Sequence, residues 1–268
     1  VPAADNLQLL GETKDALDWH SRLLQSIDAI DSPDLARLHA RAEEVRPSAQ
    51  RLAVSHWILF SDSMAEDFRG ALEAGQTATA VYASQQMLAY AGKGLVTALG
   101  DLYFPAKWVF EQVARTSPDH VGFADFYALQ TGRWADGDIP DGSAPARATQ
   151  FLAGCATLEI LVPGSTSDLR RSADIGGPRR DRVAVPIPMV DRALLHFELQ
   201  RQVILPPLVF AVWLLCDGRS EEDLLADMTK KHRQYIRKSG REGLDIRRVE
   251  RGEIDACLAV YRLTAERA

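Results

Sequence analysis

Apolar residues recur every three or four positions through most of the first 160 residues, which is the spacing of one helix face. Residues 13–27 carry one such stripe. The clearest stripe runs through residues 77–104 and consists of Val81, Leu88, Leu95, Leu99 and Leu102. Strand-like alternation of apolar and polar residues is nearly absent from this region. The pattern therefore predicts a bundle of amphipathic helices that pack their apolar stripes inward.

Helix start and stop signals divide this region further. Ser32 before Pro33 is typical of an N-cap followed by the first helical position. Gly75 is typical of a helix end, and Pro105 opens another helix. Residues 146–160 predict one more helix.

The pattern changes at Val162. Residues 162–205 are rich in Gly, Pro, Ser and charged side chains, which predicts a linker or irregular segment with a short helix at 191–203. Residues 208–215 form a continuous apolar run, which is typical of a strand buried on both faces. A capped amphipathic helix is expected from Ser220 onwards, followed by a short strand and a final helix, which is an α/β pattern.

We therefore predict a mainly α N-terminal helical bundle (1–161), a linker or irregular segment (162–205) and a partial α/β domain (206–268). The first residue is Val, and the last stretch stops inside a helical pattern. For these reasons we expect the chain to be a fragment.

Charge is distributed unevenly along the chain. The formal net charge is −6, which argues against binding of nucleic acid through bulk charge. Residues 230–251 hold nine Lys or Arg against three Asp or Glu, a local charge of +6 that leaves −12 for the rest. A local basic patch in an acidic chain favours a specific anionic ligand.

The cysteines indicate neither a disulfide framework nor a metal site. Cys155, Cys216 and Cys257 lie far apart without a C-x-x-C pair, and the six histidines form no H-E-x-x-H motif. No signal peptide opens the chain, and the apolar run at 203–215 is too short to span a bilayer. We therefore expect a cytoplasmic protein with reduced thiols, without a metal, a cofactor or a membrane span.

The basic patch begins in residues 230–244, within the helix that is predicted to start at Ser220 and to end at Gly240 or Gly243. Four cations form a stripe nearly opposite the apolar face, which favours a solvated surface, and two more lie on its shoulders. The stripe consists of Lys230, Arg233, Arg237 and Arg241, and the shoulders of Lys231 and Lys238. The alternative is that the patch binds phosphates, since Arg offers a bidentate fork and Lys a flexible point charge.

Residues 206–268 resemble the Fem family of tRNA-dependent aminoacyltransferases, which build peptidoglycan cross-bridges, and their acyltransferase relatives of the GNAT fold. The matching positions are Lys231, Arg233, Ile236, Arg237, Lys238, Gly243, Thr264 and Arg267. Ser239 departs from the pattern, because the family usually has Ala there. The resemblance implies the start of a GNAT-like domain that transfers an acyl group from a thioester or aminoacyl-tRNA to an amine.

The same resemblance implies contacts between a phosphate-bearing substrate and Lys231, Arg233, Arg237 and Lys238. The central strands and the donor-binding loop of such a domain would follow Ala268, so no catalytic residue is assigned.

Residues 15–130 resemble, more weakly, the helical substrate-binding domain of small nucleotidyltransferases. The shared elements are a long helix, then Tyr103, then Lys107 and Trp108 at the start of the next helix. They imply a small-substrate site at these three residues. The alternative is a core aromatic at Trp108 and a solvent-facing Lys107.

A nucleotidyl-transfer centre itself is not indicated by the sequence. Gly164 and Ser165 precede Asp174, but Gly176 occupies the place of the second carboxylate that would hold Mg²⁺. The chain thus matches parts of two transferases. It is either a natural fusion or a chimeric or misframed chain joined within 162–205. A non-enzymatic interaction protein with a basic docking helix is the third reading.

Overall fold

The structure is a computed structural model, and it describes residues 4–25, 32–131, 143–166, 184–188, 193–197, 201–216 and 223. The helices are α1 (Ala4–Gln25), α2 (Pro33–Glu73), α3 (Thr77–Ala98), α4 (Val109–Thr116), α5 (Phe126–Thr131), α6 (Ser143–Leu161) and α7 (Pro207–Leu215). The strands are β1 (Val185–Pro188), β2 (Ala193–Phe197) and β3 (Arg201–Leu205). Short 3-10 turns lie at Ala106–Trp108 and Val121–Phe123.

This architecture confirms the predicted fold class, a helical bundle followed by a smaller part that contains strands. The predicted helix signals are also confirmed. The Ser32 hydroxyl accepts a hydrogen bond of 3.5 Å from the Leu35 N–H, and Pro33 occupies the first helical position. At the other end of α2, Gly75 has a φ of 66°, which a residue with a side chain rarely adopts.

The largest helix, α2, continues for 41 residues and contains Pro47 in its interior. A proline inside a helix removes one hydrogen bond and costs about 3 kcal/mol. Packing of α2 against α3 compensates, because Val54 and Ile58 are buried in the core beyond the proline.

The main core lies between α2, α3 and α6, and α4 and α5 close it from one side. It is built largely from small and medium side chains, so the helix backbones approach closely. Its central members on α3 and α6 are Leu88, Ala91, Leu95, Leu152 and Ala156.

The strands form an antiparallel sheet in the order β1-β2-β3, in which Val185 pairs with His196 and Ala193 with Leu205. The short helix predicted at 191–203 is therefore wrong, because β2 and the start of β3 occupy this stretch. The predicted linker region, 162–205, contains this sheet. The division into domains stays a prediction.

The buried strand predicted at 208–215 is also wrong, since these residues form α7. An apolar run of this length fits a buried strand and a buried helix equally well by periodicity. Pro207 at the first helical position favours the helix. The helix packs Trp213 against the sheet residues Leu195 and Leu205.

The basic segment 230–244 and the strand and helix predicted after it lie outside the described residues. The same is true of the phosphate-contact candidates Lys231, Arg233, Arg237 and Lys238. None of the described helices is both long enough and apolar enough to cross a membrane.

Candidate functional site

A pocket of about 420 Å³ lies where three helices of the bundle end. Leu24 and Gln25 close α1 at this point, and Arg115 and Thr116 close α4. The turn 99–102, which follows α3, forms another part of the wall. We call this site the helix-end pocket. Its lining also includes Arg46, from the middle of α2.

The turn that forms this wall is fixed by its backbone. Gly100 has a φ of 107° and donates its N–H to the Thr97 carbonyl at 3.0 Å, while the Asp101 N–H reaches the Val96 carbonyl at 3.0 Å. These two bonds are those of a glycine-dependent helix ending. The Gln50 side-chain amide donates to the carbonyls of Thr97 and Ala98, at 3.0 and 2.8 Å. The turn 99–102 is therefore held both by its own backbone hydrogen bonds and by a side chain of α2.

Asp101 joins this turn to α4. Its carboxylate accepts two hydrogen bonds from the Arg115 guanidinium, at 2.7 and 3.0 Å. It also accepts from the Thr116 hydroxyl at 3.2 Å and from the Tyr103 N–H at 3.1 Å. Burial by itself raises the pKa of Asp101, but the hydrogen bonds from Arg115 and Tyr103 outweigh it and leave that pKa below its ordinary value. Asp101 is thus an ionised group that holds the turn.

Arg46 is likewise held by a carboxylate, that of Glu43. Its guanidinium donates to both carboxylate oxygens of Glu43, at 2.7 and 3.0 Å. The hydrogen bond from Arg46 lowers the pKa of Glu43, and the Glu43 carboxylate raises the pKa of Arg46. Arg46 lines the pocket and Glu43 does not, although the Glu43 carboxylate offsets part of the charge of Arg46.

A buried lysine supports the same turn from inside the bundle. Lys93 has no exposed surface, and its ammonium nitrogen Nζ donates to the Tyr103 carbonyl and to Gln112 Oε1. Gln112 Nε2 donates to the carbonyls of Asp101 and Tyr103, at 3.3 and 3.1 Å. Lys93 and Gln112 therefore connect α3 and α4 to the residues of the pocket wall.

Burial disfavours the charge of Lys93, although two aromatic rings lie close enough to its amine to favour the cation. Nζ lies 5.7 Å from the centre of the Trp57 ring and 5.9 Å from that of Tyr103. Burial lowers the pKa of Lys93 from 10.5 to about 7; Asp101 opposes this shift and Arg115 adds to it. Because both hydrogen-bond acceptors are neutral groups, no carboxylate contacts the amine directly.

The sequence contains one indication that Lys93 has a specific partner. It is the only Lys, Arg, Asp or Glu in α3. A single charge in a helix that is otherwise buried indicates a specific partner, because an unpaired buried charge is costly. The partners Tyr103 and Gln112 belong to other segments, so spacing within the helix could not reveal them.

None of the three residues predicted as a small-substrate site, Tyr103, Lys107 and Trp108, lines the helix-end pocket. Tyr103 takes part in the Lys93 network, and its ring also lies 5.9 Å from the Arg115 guanidinium. Lys107 and Trp108 lie outside the helix-end pocket and pair with each other, with Nζ 5.5 Å from the indole centre. Trp108 is 42% exposed, so the alternative reading of this residue as a core aromatic is wrong.

The Gly164-Ser165 pair lies in a loop that Glu159 holds to α6. Glu159 accepts hydrogen bonds from the Gly164 N–H at 2.5 Å and from the Thr166 hydroxyl at 2.6 Å. The Gly122 N–H donates to His120 Nδ1 at 3.0 Å, so the other ring nitrogen carries the proton and donates to the Thr166 oxygen at 3.0 Å.

In this His120–Thr166–Glu159 chain each proton is already directed to its acceptor. The Thr166 hydroxyl donates a hydrogen bond to the Glu159 carboxylate and accepts one from the His120 imidazole. This is not the arrangement of an activated nucleophile. The cluster fixes the loop after α6. Asp174 lies outside the described residues, and no group of three or more His, Cys, Asp or Glu that could hold a metal occurs in the part of the chain that the structure describes.

Comparison with known proteins adds no relative from which a function could be transferred. No protein-family model, no curated protein and no solved structure matches the chain.

Proposed function

We propose that the helical bundle is a substrate-binding module that holds a small molecule in the helix-end pocket, for reaction at groups outside the bundle. The observation that carries this proposal is the pocket itself. Its volume of about 420 Å³ lies within the range of roughly 300–1,000 Å³ that is common for small-molecule sites. The resemblance of residues 15–130 to a nucleotidyltransferase substrate-binding domain supports the same function.

The construction of the walls also supports binding. A binding site loses less free energy on association when its walls are already ordered. The turn 99–102 is fixed by the Gly100 helix ending, by Gln50 and by the Lys93–Gln112 pair. The pocket is therefore preorganised.

The lining favours binding over catalysis. Among the lining residues that the structure describes, Asp101 is the one carboxylate, and its oxygens already accept four hydrogen bonds. A carboxylate in this state is a poor general base, because its lone pairs are occupied and its pKa is lowered. Lys93 is enclosed behind the wall and does not reach the pocket surface.

The test is a ligand-observed NMR screen of small polar fragments of varied charge. Gln25→Trp places an indole at the pocket, whereas Ala16→Trp places the same group at an exposed position of α1 away from the pocket. We expect fragments that bind the wild-type chain and Ala16→Trp but not Gln25→Trp. If every binding fragment also binds Gln25→Trp, the proposal fails.

We also propose that residues 206–268 belong to a Fem-like acyltransferase that forms an amide bond on an amine acceptor from a donor such as aminoacyl-tRNA. The support is the sequence of the basic segment, with Lys231, Arg233, Arg237 and Lys238 as the phosphate contacts. Within this range, α7 is the element that the structure describes.

This second proposal is tested by the binding of fluorescent aminoacyl-tRNA, followed by anisotropy. We expect the combined change of Arg233→Ala and Arg237→Ala to weaken binding about tenfold or more with little change in Tm, because two phosphate contacts are lost. The control combines Arg22→Ala with Arg37→Ala, which removes two exposed charges from α1 and α2. Equal affinities of the two double variants would leave the basic segment as a solvated face only.

A further inference from the structure

The helix-end pocket contains two guanidinium groups that are only partly used. An arginine side chain has five N–H donors. Arg46 directs two nitrogens to Glu43, and Arg115 directs two nitrogens to Asp101, in each case through Nε and Nη2. The remaining N–H groups on each side chain make no hydrogen bond to the described residues, and both side chains line the pocket.

The carboxylates that pair with these arginines do not exclude an anion from the pocket. Asp101 is 9% exposed on its side chain, and its four accepted hydrogen bonds come from groups of the wall. Glu43 lies outside the lining. The described part of the lining therefore carries two cations and one enclosed anion.

The helix ends, by contrast, disfavour an anion in the pocket. The carboxyl ends of α1, α3 and α4 meet here, and each helix end is equivalent to about half a negative charge that favours cations. The last carbonyls of α3 are already satisfied by Gln50 and by the N–H groups of Gly100 and Asp101. Arg115 lies in the last turn of α4 and compensates its end. A charge-assisted hydrogen bond from a guanidinium N–H to an oxyanion outweighs the partial charge of a single helix end.

We propose that the helix-end pocket recognises the oxyanion of its ligand, a phosphate or a carboxylate, through the unused N–H groups of Arg46 and Arg115. The proposal rests on the function proposed above and adds the chemical class of the substrate. The planar guanidinium fork suits both oxyanions.

The test uses the full chain, with inorganic phosphate and acetate as separate probes and ethylammonium as the cationic comparison. The Nη–H signals of Arg46 and Arg115 are followed by NMR during each titration. Phosphate and acetate together show whether the site prefers a dianion or a carboxylate. We expect the Nη–H signals of both side chains to move with either oxyanion and not with ethylammonium.

Three variants separate recognition from a general charge effect. Arg46→Gln should weaken phosphate binding about tenfold, because a charge-assisted hydrogen bond is lost. Arg51→Gln removes the same charge from an exposed position of α2 outside the pocket, and its affinity should stay within about twofold of the wild type. Glu43→Gln removes the competing carboxylate and should tighten phosphate binding by about threefold.

The gain of affinity in Glu43→Gln is the outcome that a purely structural role of Arg46 does not produce. Equal affinities of Arg46→Gln and Arg51→Gln, or binding of ethylammonium in place of the oxyanions, overturn the oxyanion proposal. Fragment binding that Gln25→Trp blocks would in that case still support the pocket as a small-molecule site. Absence of any such fragment overturns the substrate-binding function as well.

Discussion

Lys93 is a buried residue whose protonation depends on its surroundings in the fold. It lies in α3 between two glycines, and its amine is enclosed by aromatic rings and neutral acceptors. An amine of this kind loses its hydration on folding without gaining a carboxylate contact, so its neutral form is favoured. Folding and protonation of Lys93 are therefore linked.

The linkage predicts that Lys93 makes the stability depend on pH. Between the folded-state pKa of about 7 and the ordinary 10.5, the unfolded chain holds a proton that the folded chain has released. The contribution of Lys93 to the free energy of unfolding therefore rises with pH in this window, by at most about 1.4 kcal/mol per unit.

Lys93→Met isolates this contribution, because it keeps the length of the side chain and removes the titrating group. We expect the difference in unfolding free energy between the wild type and Lys93→Met to change steadily from pH 7 to 9.5, as measured by urea denaturation. The loss of the hydrogen bond to Gln112 adds an offset that does not vary with pH. Parallel curves for the two proteins would mean that Lys93 does not titrate in this range.

At the scale of helices, close approach between α3 and α5 depends on a glycine. A methyl group on Gly92 would lie 2.7 Å from the ring of Phe126, which is itself buried. Gly70, in the interior of α2, has no atom within 4 Å of the same position. The two glycines thus have the same helical conformation and opposite packing.

These two sites predict opposite effects of the same substitution. Gly92→Ala should lower the free energy of unfolding by about 1–3 kcal/mol, because the core is overpacked. Gly70→Ala should raise it by about 0.5–1 kcal/mol, because alanine favours the helix without a clash. Guanidinium denaturation of both variants measures the difference. A stabilised Gly92→Ala would show that Phe126 moves aside without cost.

The sequence was informative where local rules decide the structure. The cap at Ser32 and the end at Gly75 follow from the conformations of these residues, so they were predictable. Residues 208–215 were not, because a uniformly apolar run carries no period and only its neighbours in the fold select a helix. The helix-end pocket was missed because Arg46 and Arg115 are 69 positions apart in the chain and meet only through tertiary packing.

At the scale of the whole molecule, the sheet packs directly on the bundle. Val185 of β1 belongs to the main core, and Leu158 of α6 is buried with Leu195 and Trp213. Shared burial of this kind couples the stabilities of two segments. These contacts predict that the bundle and the sheet fold together, and the division of the chain at residues 162–205 stays a prediction.

Limited proteolysis measures this coupling. We expect a protease-resistant unit that extends from the bundle through α6 and the sheet to about residue 216. If the chain is cut inside this unit, the pieces should stay associated. Trp213→Ala should shorten that unit, because it leaves a cavity between the sheet and α7. Separate recovery of a stable bundle that lacks the sheet would show that the two parts fold independently.

The enclosure of Lys93 has a practical consequence for studies of motion. An acylating reagent dissolved in water can reach this amine only after α3 and α4 have moved apart, whereas Lys107 on the surface reacts at once. The ratio of the two acylation rates therefore reports how often α3 and α4 separate around Lys93. Lys107 serves as the internal reference within the same molecule.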